Sequence, residues 1–100
     1  MKLVSLKPAN NNIHKYVVVL ELNDGSRRTV RFGAAGMTDF TKARINGKPD
    51  EERKQRYLER HRDNENWNDI TTAGAWSRWL LWNKPTIAES LQDIKKRFGL

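Results

Sequence analysis

Tyr16-Val17-Val18-Val19-Leu20-Glu21-Leu22-Asn23-Asp24-Gly25-Ser26-Arg27-Arg28-Thr29-Val30-Arg31-Phe32 holds two β-branched and aromatic runs divided by a polar turn. Branched and aromatic side chains fit a pleated surface, so the pattern predicts strands over Tyr16–Leu22 and Arg28–Phe32. At Asn23-Asp24-Gly25-Ser26 the chain must reverse, and Gly25 supplies the positive φ that a tight hairpin needs. Register has two solutions. A two-residue turn gathers Val17, Val19, Val30 and Phe32 on one face, whereas a three-residue turn with a bulge at Gly25 gathers Tyr16, Val18, Val30 and Phe32. The second collects the larger rings and is preferred.

Working outward, Leu3–Leu6 reads as a further strand, and Pro8-Ala9-Asn10-Asn11-Asn12 as an exposed link to the hairpin. Residues 1–32 therefore make a three-stranded antiparallel sheet. Gly33, Gly36 and Gly47 punctuate residues 33–48, which lack periodicity and read as a loop. Pro49 suits the first position of a helix running to about Asp63, because Asp50, Glu51 and Glu52 favour the positive end of its dipole. Tyr57, Leu58 and His61 form a narrow apolar stripe, so this helix docks along one edge. Thr71 or Thr72 caps a second helix from Ala73 to about Asn83, whose Trp76, Trp79, Leu80, Leu81 and Trp82 mark it as central. After Asn83-Lys84-Pro85, the capping box Thr86-Ile87-Ala88-Glu89 starts a third helix with the stripe Ile87, Leu91, Ile94 and Phe98, stopped by Gly99. The expectation is an α+β domain over residues 1–100, an N-terminal three-stranded antiparallel sheet packed against three C-terminal helices in residues 49–100.

Size and composition bound the function. One hundred residues suit one modest core. With 37% hydrophobic and 31% charged residues and no apolar run of spanning length, no membrane insertion is expected. Met1-Lys2-Leu3-Val4-Ser5-Leu6-Lys7-Pro8 lacks a signal-like apolar region and reads as mature protein. The absence of cysteine removes disulfides and thiolate metal sites and fits an intracellular or intravirion setting. A net charge of +7 points to polyanionic partners, DNA, RNA or acidic protein surfaces. Residues 1–32 hold six Lys/Arg against two acids, residues 33–69 eight against eight, and residues 70–100 five against two. A nucleic-acid face is therefore expected on the N-terminal sheet and the last helix, at Arg27, Arg28, Arg31, Lys95, Lys96 and Arg97.

Catalytic patterns are weak. Gly33-Ala34-Ala35-Gly36-Met37-Thr38-Asp39-Phe40-Thr41 lacks both the Gly-Lys-Ser/Thr ending of a P-loop and a dinucleotide spacing, so its glycines read as turn formers. His61 and Glu65 are four apart near Asp63 and Asp69, but two histidines without a His-Glu-x-x-His spacing do not make a metal site, and no cofactor is implied. No pattern brings a nucleophilic hydroxyl to a base and an acid, and the chain reads as non-enzymatic.

All four tryptophans fall between Arg56 and Trp82 among dense arginines. Core packing claims most such rings in a small domain, while an exposed one would anchor a partner. Trp76, Trp79 and Trp82 recur every three residues and drift around a helix, so at least one ring is expected to meet the sheet while another faces the third helix or the outside. Trp76, Arg78, Trp79, Trp82, Tyr57 and Arg60 are the protein-interface candidates. Arg78, Arg60 and Arg62 can stack on the rings as cation–π partners, although their acidic neighbours favour ion pairing.

Residues 31–100 resemble a family of small, basic, uncharacterised proteins of large and giant double-stranded DNA viruses of algae and protists. The resemblance lies in Arg31-Phe32-Gly33-Ala34-Ala35-Gly36, Thr38-Asp39-Phe40-Thr41, Glu52-Arg53, Arg56-Tyr57-Leu58-Glu59-Arg60-His61-Arg62, Glu65-Asn66-Trp67, Thr72-Ala73-Gly74 and Ser77-Arg78-Trp79-Leu80-Leu81-Trp82-Asn83-Lys84-Pro85-Thr86. Within it Ala43-Arg44-Ile45-Asn46-Gly47-Lys48 reads as a lengthened, exposed loop. The resemblance implies a viral protein located in the virion or otherwise inside the infected host. A minor capsid or other virion component is expected, binding other capsid proteins through Trp76 or Trp82. The alternative is an accessory protein that binds viral DNA or RNA without sequence preference.

Overall fold

In the computed structural model, which describes residues 1–100, Tyr16 pairs with Phe32, Val18 with Val30 and Glu21 with Arg27. This is the three-residue register. Leu22 N–H donates to the Ser26 carbonyl at 2.8 Å, and Gly25, at φ +85°, donates back to the Leu22 carbonyl at 3.0 Å. Strands β1 (Lys2–Pro8), β2 (His14–Glu21) and β3 (Arg27–Ala34) form an antiparallel sheet in that order. Their inward residues Leu3, Leu6, Tyr16, Val18, Leu20, Val30 and Phe32 join the core.

The stretch expected as a loop contains structure. Beyond β3, the strands β4 (Arg44–Ile45) and β5 (Lys48–Pro49) make a small hairpin around Asn46-Gly47. Asn-Gly favours a two-residue turn, but strands this short carry no readable period. The Arg44 guanidinium holds the hairpin down by donating to the carbonyls of Phe40, Ala43 and Pro85 at 3.0–3.1 Å.

Pro49 consequently lies in β5 rather than at the start of a helix. Helix α1 (Glu51–His61) is capped by Asp50, whose carboxylate accepts from Arg53 N–H at 3.1 Å, and a 3₁₀ turn (Arg62–Asn64) follows in place of the expected helical end. Tyr57 is the only buried residue of α1, and the Lys54 ammonium donates to the Asn83 carbonyl at 2.8 Å. The helix thus docks along one edge.

Helix α2 (Ala73–Trp76) is capped by Thr72 and then widens into a π-helical turn (Ser77–Leu81), closed by Trp82 N–H donating to the Ser77 carbonyl at 3.2 Å. The α-helix expected to Asn83 is cut short. In a π turn residues five apart fall in line, so Trp76 and Leu81 both turn into the core while Ser77 and Trp82 share the next face. Helix α3 (Ile87–Phe98) starts at Thr86, where Glu89 N–H donates to the Thr86 hydroxyl at 3.2 Å, and ends at Gly99. The Thr86 hydroxyl donates to the Glu89 carboxylate at 2.8 Å, so the box closes between side chains rather than reciprocally through the backbone.

Phe32 stands between Tyr16 and Trp76, with ring centroids at 5.9 and 5.7 Å. A ring burying ~150–250 Å² contributes on the order of 4–6 kcal/mol before entropy is charged against it. At the end of β3, Gly33 takes φ +77°, and a Cβ there would sit 2.8 Å from Leu81 Cδ1. The sheet closes on the π turn because position 33 has no side chain.

On the other side of that turn, buried Asn83 donates to the Trp79 carbonyl at 3.1 Å and to Asp93 at 2.8 Å, and Arg97 pairs with Asp93 at 3.3 Å. Burial opposes ionisation of Asp93, but the bonds from Asn83 and Arg97 outweigh it and hold the carboxyl below its ordinary value.

Gly33→Ala combines positive-φ strain with overpacking and is expected to cost about 2–4 kcal/mol in urea unfolding. Gly25→Ala meets open space and should cost about 1 kcal/mol from backbone strain alone. Equal destabilisation at both positions would remove the role given to Leu81. Because its folded pKa is depressed, Asp93 stabilises the fold above its unfolded pKa of about 3.9, and this contribution disappears as pH falls through the lower folded value. The stability gap between the native chain and Asp93→Asn is expected to narrow from pH 7 to strongly acid solution, and a gap constant with pH would contradict the depression.

Candidate functional site

The interface candidates divide once their burial is known. Trp76 is 0% exposed and its indole donates to the Ile70 carbonyl at 2.6 Å, while Trp82 is 8% exposed and stacks on Tyr57 at 4.3 Å and 6°. Neither is a surface anchor, which corrects the expectation for both. Trp79 is half-buried, its indole donates to the Trp67 carbonyl at 2.7 Å, and its ring lies between the guanidinium carbons of Arg78 at 4.3 Å and Arg97 at 3.9 Å. The π turn directs Trp76 and Trp82 inward, and Trp67, like Trp79, is half-buried, so no tryptophan is fully exposed.

Arg78 forms no ion pair, contrary to the expectation from its acidic neighbours. It donates to the Trp82 carbonyl at 2.7 Å and also lies 5.4 Å from the Trp67 ring, leaving Nε buried without a partner. Burial, aided by the nearby Arg97 charge, lowers its pKa from the ordinary guanidinium value. Stacking on two indoles supplies the stabilisation that a carboxylate would otherwise give.

The six nucleic-acid candidates do not share one face. Arg28 leans to the inner side of the sheet, where its Nε donates to the Thr71 carbonyl at 3.0 Å, and Arg97 is engaged by Asp93 and Trp79. Lys95 and Lys96 are exposed on α3, which packs on the π turn, which in turn packs on β3, so a layer of helix separates them from the outer sheet face. Arg27 and Arg31 remain on that outer face.

Cross-strand pairing completes the outer face. Lys7, Val17 and Arg31 form one row, Ser5, Val19 and Thr29 the next, and Lys2, Glu21 and Arg27 the third. The sequence does not display the part played by Lys2 and Lys7, because their alignment with Arg27 and Arg31 depends on an irregularity between Leu3 and Ser5 that no periodicity reveals. Four cations thus flank an apolar centre of Val17 and Val19 with one acid, Glu21. No helix covers them.

A second feature is a cleft of about 550 Å³ between α1 and the end of the sheet. Arg53, Arg56, Arg60, Tyr57 and His61 line one wall, Lys15, Gly33, Ala34, Met37, Thr38 and Asp39 another, and Glu65, Ser77, Leu81 and Trp82 the floor and side. Buried Asp39 accepts from Lys15 and from the Thr41 hydroxyl and N–H. The Gly-rich loop is therefore a turn knotted by Asp39, as its composition predicts. Tyr57 lies between His61 and Trp82, both at 4.3 Å, and burial holds its hydroxyl above the ordinary value. Arg60 is exposed at this cleft rather than stacked on a tryptophan. Ser77, His61 and Glu65 line the same cleft, but the imidazole lies 3.7 Å from the carboxylate and no hydrogen bond joins Ser77 to it. No helix is long and apolar enough to cross a membrane.

Neither a curated protein nor a solved structure matches the chain. A protein-family model does, over the sheet, the Asp39 turn and α1, a span containing every cleft residue except Glu65, Ser77, Leu81 and Trp82. With residues 4–61 matched, more than half of its length, the chain belongs to the family of unknown function DUF5754.

Proposed function

We propose that this protein is a non-enzymatic binding protein that engages the phosphate backbone of double-stranded nucleic acid with the outer face of its sheet. The observation that carries this is the flanking of Val17 and Val19 by Lys2 and Lys7 on β1 and by Arg27 and Arg31 on β3. Neighbouring strands lie about 4.8 Å apart, so the two cation rows are on the order of 10 Å apart at the backbone and wider at their tips. A B-DNA major groove is about 12 Å wide and accepts β-ribbons. Lysine and arginine placed along both rims meet the phosphates of both strands, while the valines and small hydroxyls at the centre approach the groove without demanding a particular base. The binding is electrostatic and sequence-tolerant. The viral setting comes from the resemblance described above, and a genome-associated place in the particle or infected cell follows from it.

A second reading, a virion assembly contact, keeps support from a different observation. Ile13 is 70% exposed and Met37 63% exposed. They project from adjoining loops, since Ala35 N–H donates to the Ile13 carbonyl at 3.0 Å. These apolar tips replace the tryptophans as the contact a neighbouring capsid protein would cover.

The sheet reading is tested by titrating a short duplex at several salt concentrations. Arg27→Glu with Arg31→Glu is expected to weaken binding and to flatten log K against log salt by about 0.9 for each phosphate the variant no longer neutralises. Unchanged affinity and slope in the folded variant would exclude the sheet face. For the assembly reading, Ile13→Ser with Met37→Ser should lower incorporation into particles without altering duplex binding, whereas normal incorporation counts against it.

A further inference from the structure

The cleft beside α1 carries a charge arrangement that the sheet face does not explain. Arg53, Arg56 and Arg60 recur at spacings of three and four, so their guanidinium groups rise along one side of α1, and all three line the cleft. Arg53 and Arg60 form no ion pair, and Arg56 has only an exposed one with Glu52 at 3.3 Å. Both carboxylates of the cleft are already engaged, Asp39 by Lys15 and Thr41, and Glu65 by the Trp67 indole at 3.0 Å and by His61. Only the exposed Glu52 pairs with the row, at Arg56, and Arg53 and Arg60 face the cleft without a carboxylate partner. Like charges at these spacings weaken a helix, and α1 is held to the body by one buried residue. A ligand that supplies the missing anion would relieve that repulsion.

We infer that this cleft binds a phosphate-bearing ligand of nucleotide size with at least two anionic groups. Its volume of about 550 Å³ falls within the roughly 300–1,000 Å³ typical of small-molecule sites. With a rise of about 1.5 Å per residue, Arg53 and Arg60 stand about 10 Å apart along the helix, a span that one phosphate does not bridge and that their long side chains can close onto two or more anionic groups. Planar guanidinium forks suit phosphate oxygens. The Thr38 and Ser77 hydroxyls, which make no hydrogen bond within the protein, offer neutral donors on the remaining walls. The phosphates belong to a free nucleotide or to a single nucleic-acid strand entering the cleft. Neither source depends on the sheet reading, because Arg27 and Arg31 lie on the opposite side of the sheet from its helices.

The test uses the full chain carrying Arg27→Glu and Arg31→Glu, so that sheet-face binding is absent, with calorimetric titration at fixed ionic strength. The probes are pyrophosphate, ADP and a short oligothymidylate. Saturable binding with one site is expected, weakened about tenfold or more by Arg53→Gln and by Arg60→Gln, since each removes a charge-assisted hydrogen bond. Tighter binding of ADP identifies a free nucleotide, and tighter binding of the oligothymidylate identifies a strand. Absence of saturable binding by all three probes, equal binding of inorganic sulfate, or affinity unaffected by both glutamine variants would overturn the site. The substituted arginines are exposed, and unchanged circular dichroism confirms that weaker binding does not come from unfolding.

Discussion

The packing of Trp76 against Phe32 is the contact on which the remaining structure depends. It requires the hairpin to adopt the three-residue register, because only then does Phe32 share a face with Tyr16 and Val18. It also requires the second helical segment to present Trp76 inward while Leu81 meets Gly33. An unbroken α-helix would place residues five apart on diverging faces, whereas the π turn aligns them. The same widening carries Ser77 and Trp82 to the cleft, so one departure from regular helix sets both the core and the shape of the cavity beside α1.

Arginine plays three separate parts in this small chain. Arg44 and Arg28 tie loops down through carbonyl oxygens, substituting for backbone partners that irregular segments lack. Arg78 and Arg97 clamp Trp79 between them, which makes a half-buried ring a joint between the π turn and α3. Arg27, Arg31, Arg53 and Arg60 have no such internal task. A stable fold needs no uncompensated guanidinium rows, and long exposed cations contribute little to folding. Their clustering on two separate surfaces is therefore the feature that folding leaves unexplained.

Much of the fold was legible because its decisive signals are local. Gly25 in a polar turn between apolar runs, the Thr71-Thr72 pair and Thr86 before helices, and Gly99 after one each act within a few residues. The three-stranded sheet and three helical segments follow from them. What escaped reading was non-local or irregular. Two-residue strands around Asn46-Gly47 have no period, and Pro49 could serve a strand end as well as a helix start. The π turn settled what the tryptophan spacing left open: recurrence every three residues did not say which rings meet the sheet and which face the third helix or solvent, and the widened turn keeps Trp76 and Trp82 inside. Basic content on the N-terminal sheet was visible in the charge count, but the partnership of Lys2 and Lys7 with Arg27 and Arg31 exists only across strands. The cleft was invisible, since its walls come from residues 15–82.

With Trp76 and Trp82 buried and Trp67 and Trp79 half-buried, the large apolar side chains left exposed are few: Met1, Val4, Ile13, Met37 and Ile45, beside the half-buried valine pair at the centre of the sheet. A partner held mainly by apolar burial would need a larger continuous patch, because association carries translational and ordering costs that scattered contacts do not offset. Charge does not face that limit when the partner is a polyanion, since released counterions supply the driving force and no tight shape match is demanded. The chain has placed its apolar inventory inside to hold a core of 100 residues together and kept its surplus cations outside. In a domain with so little core to spare, that division favours recognition through phosphate, at the sheet and at the cleft alike.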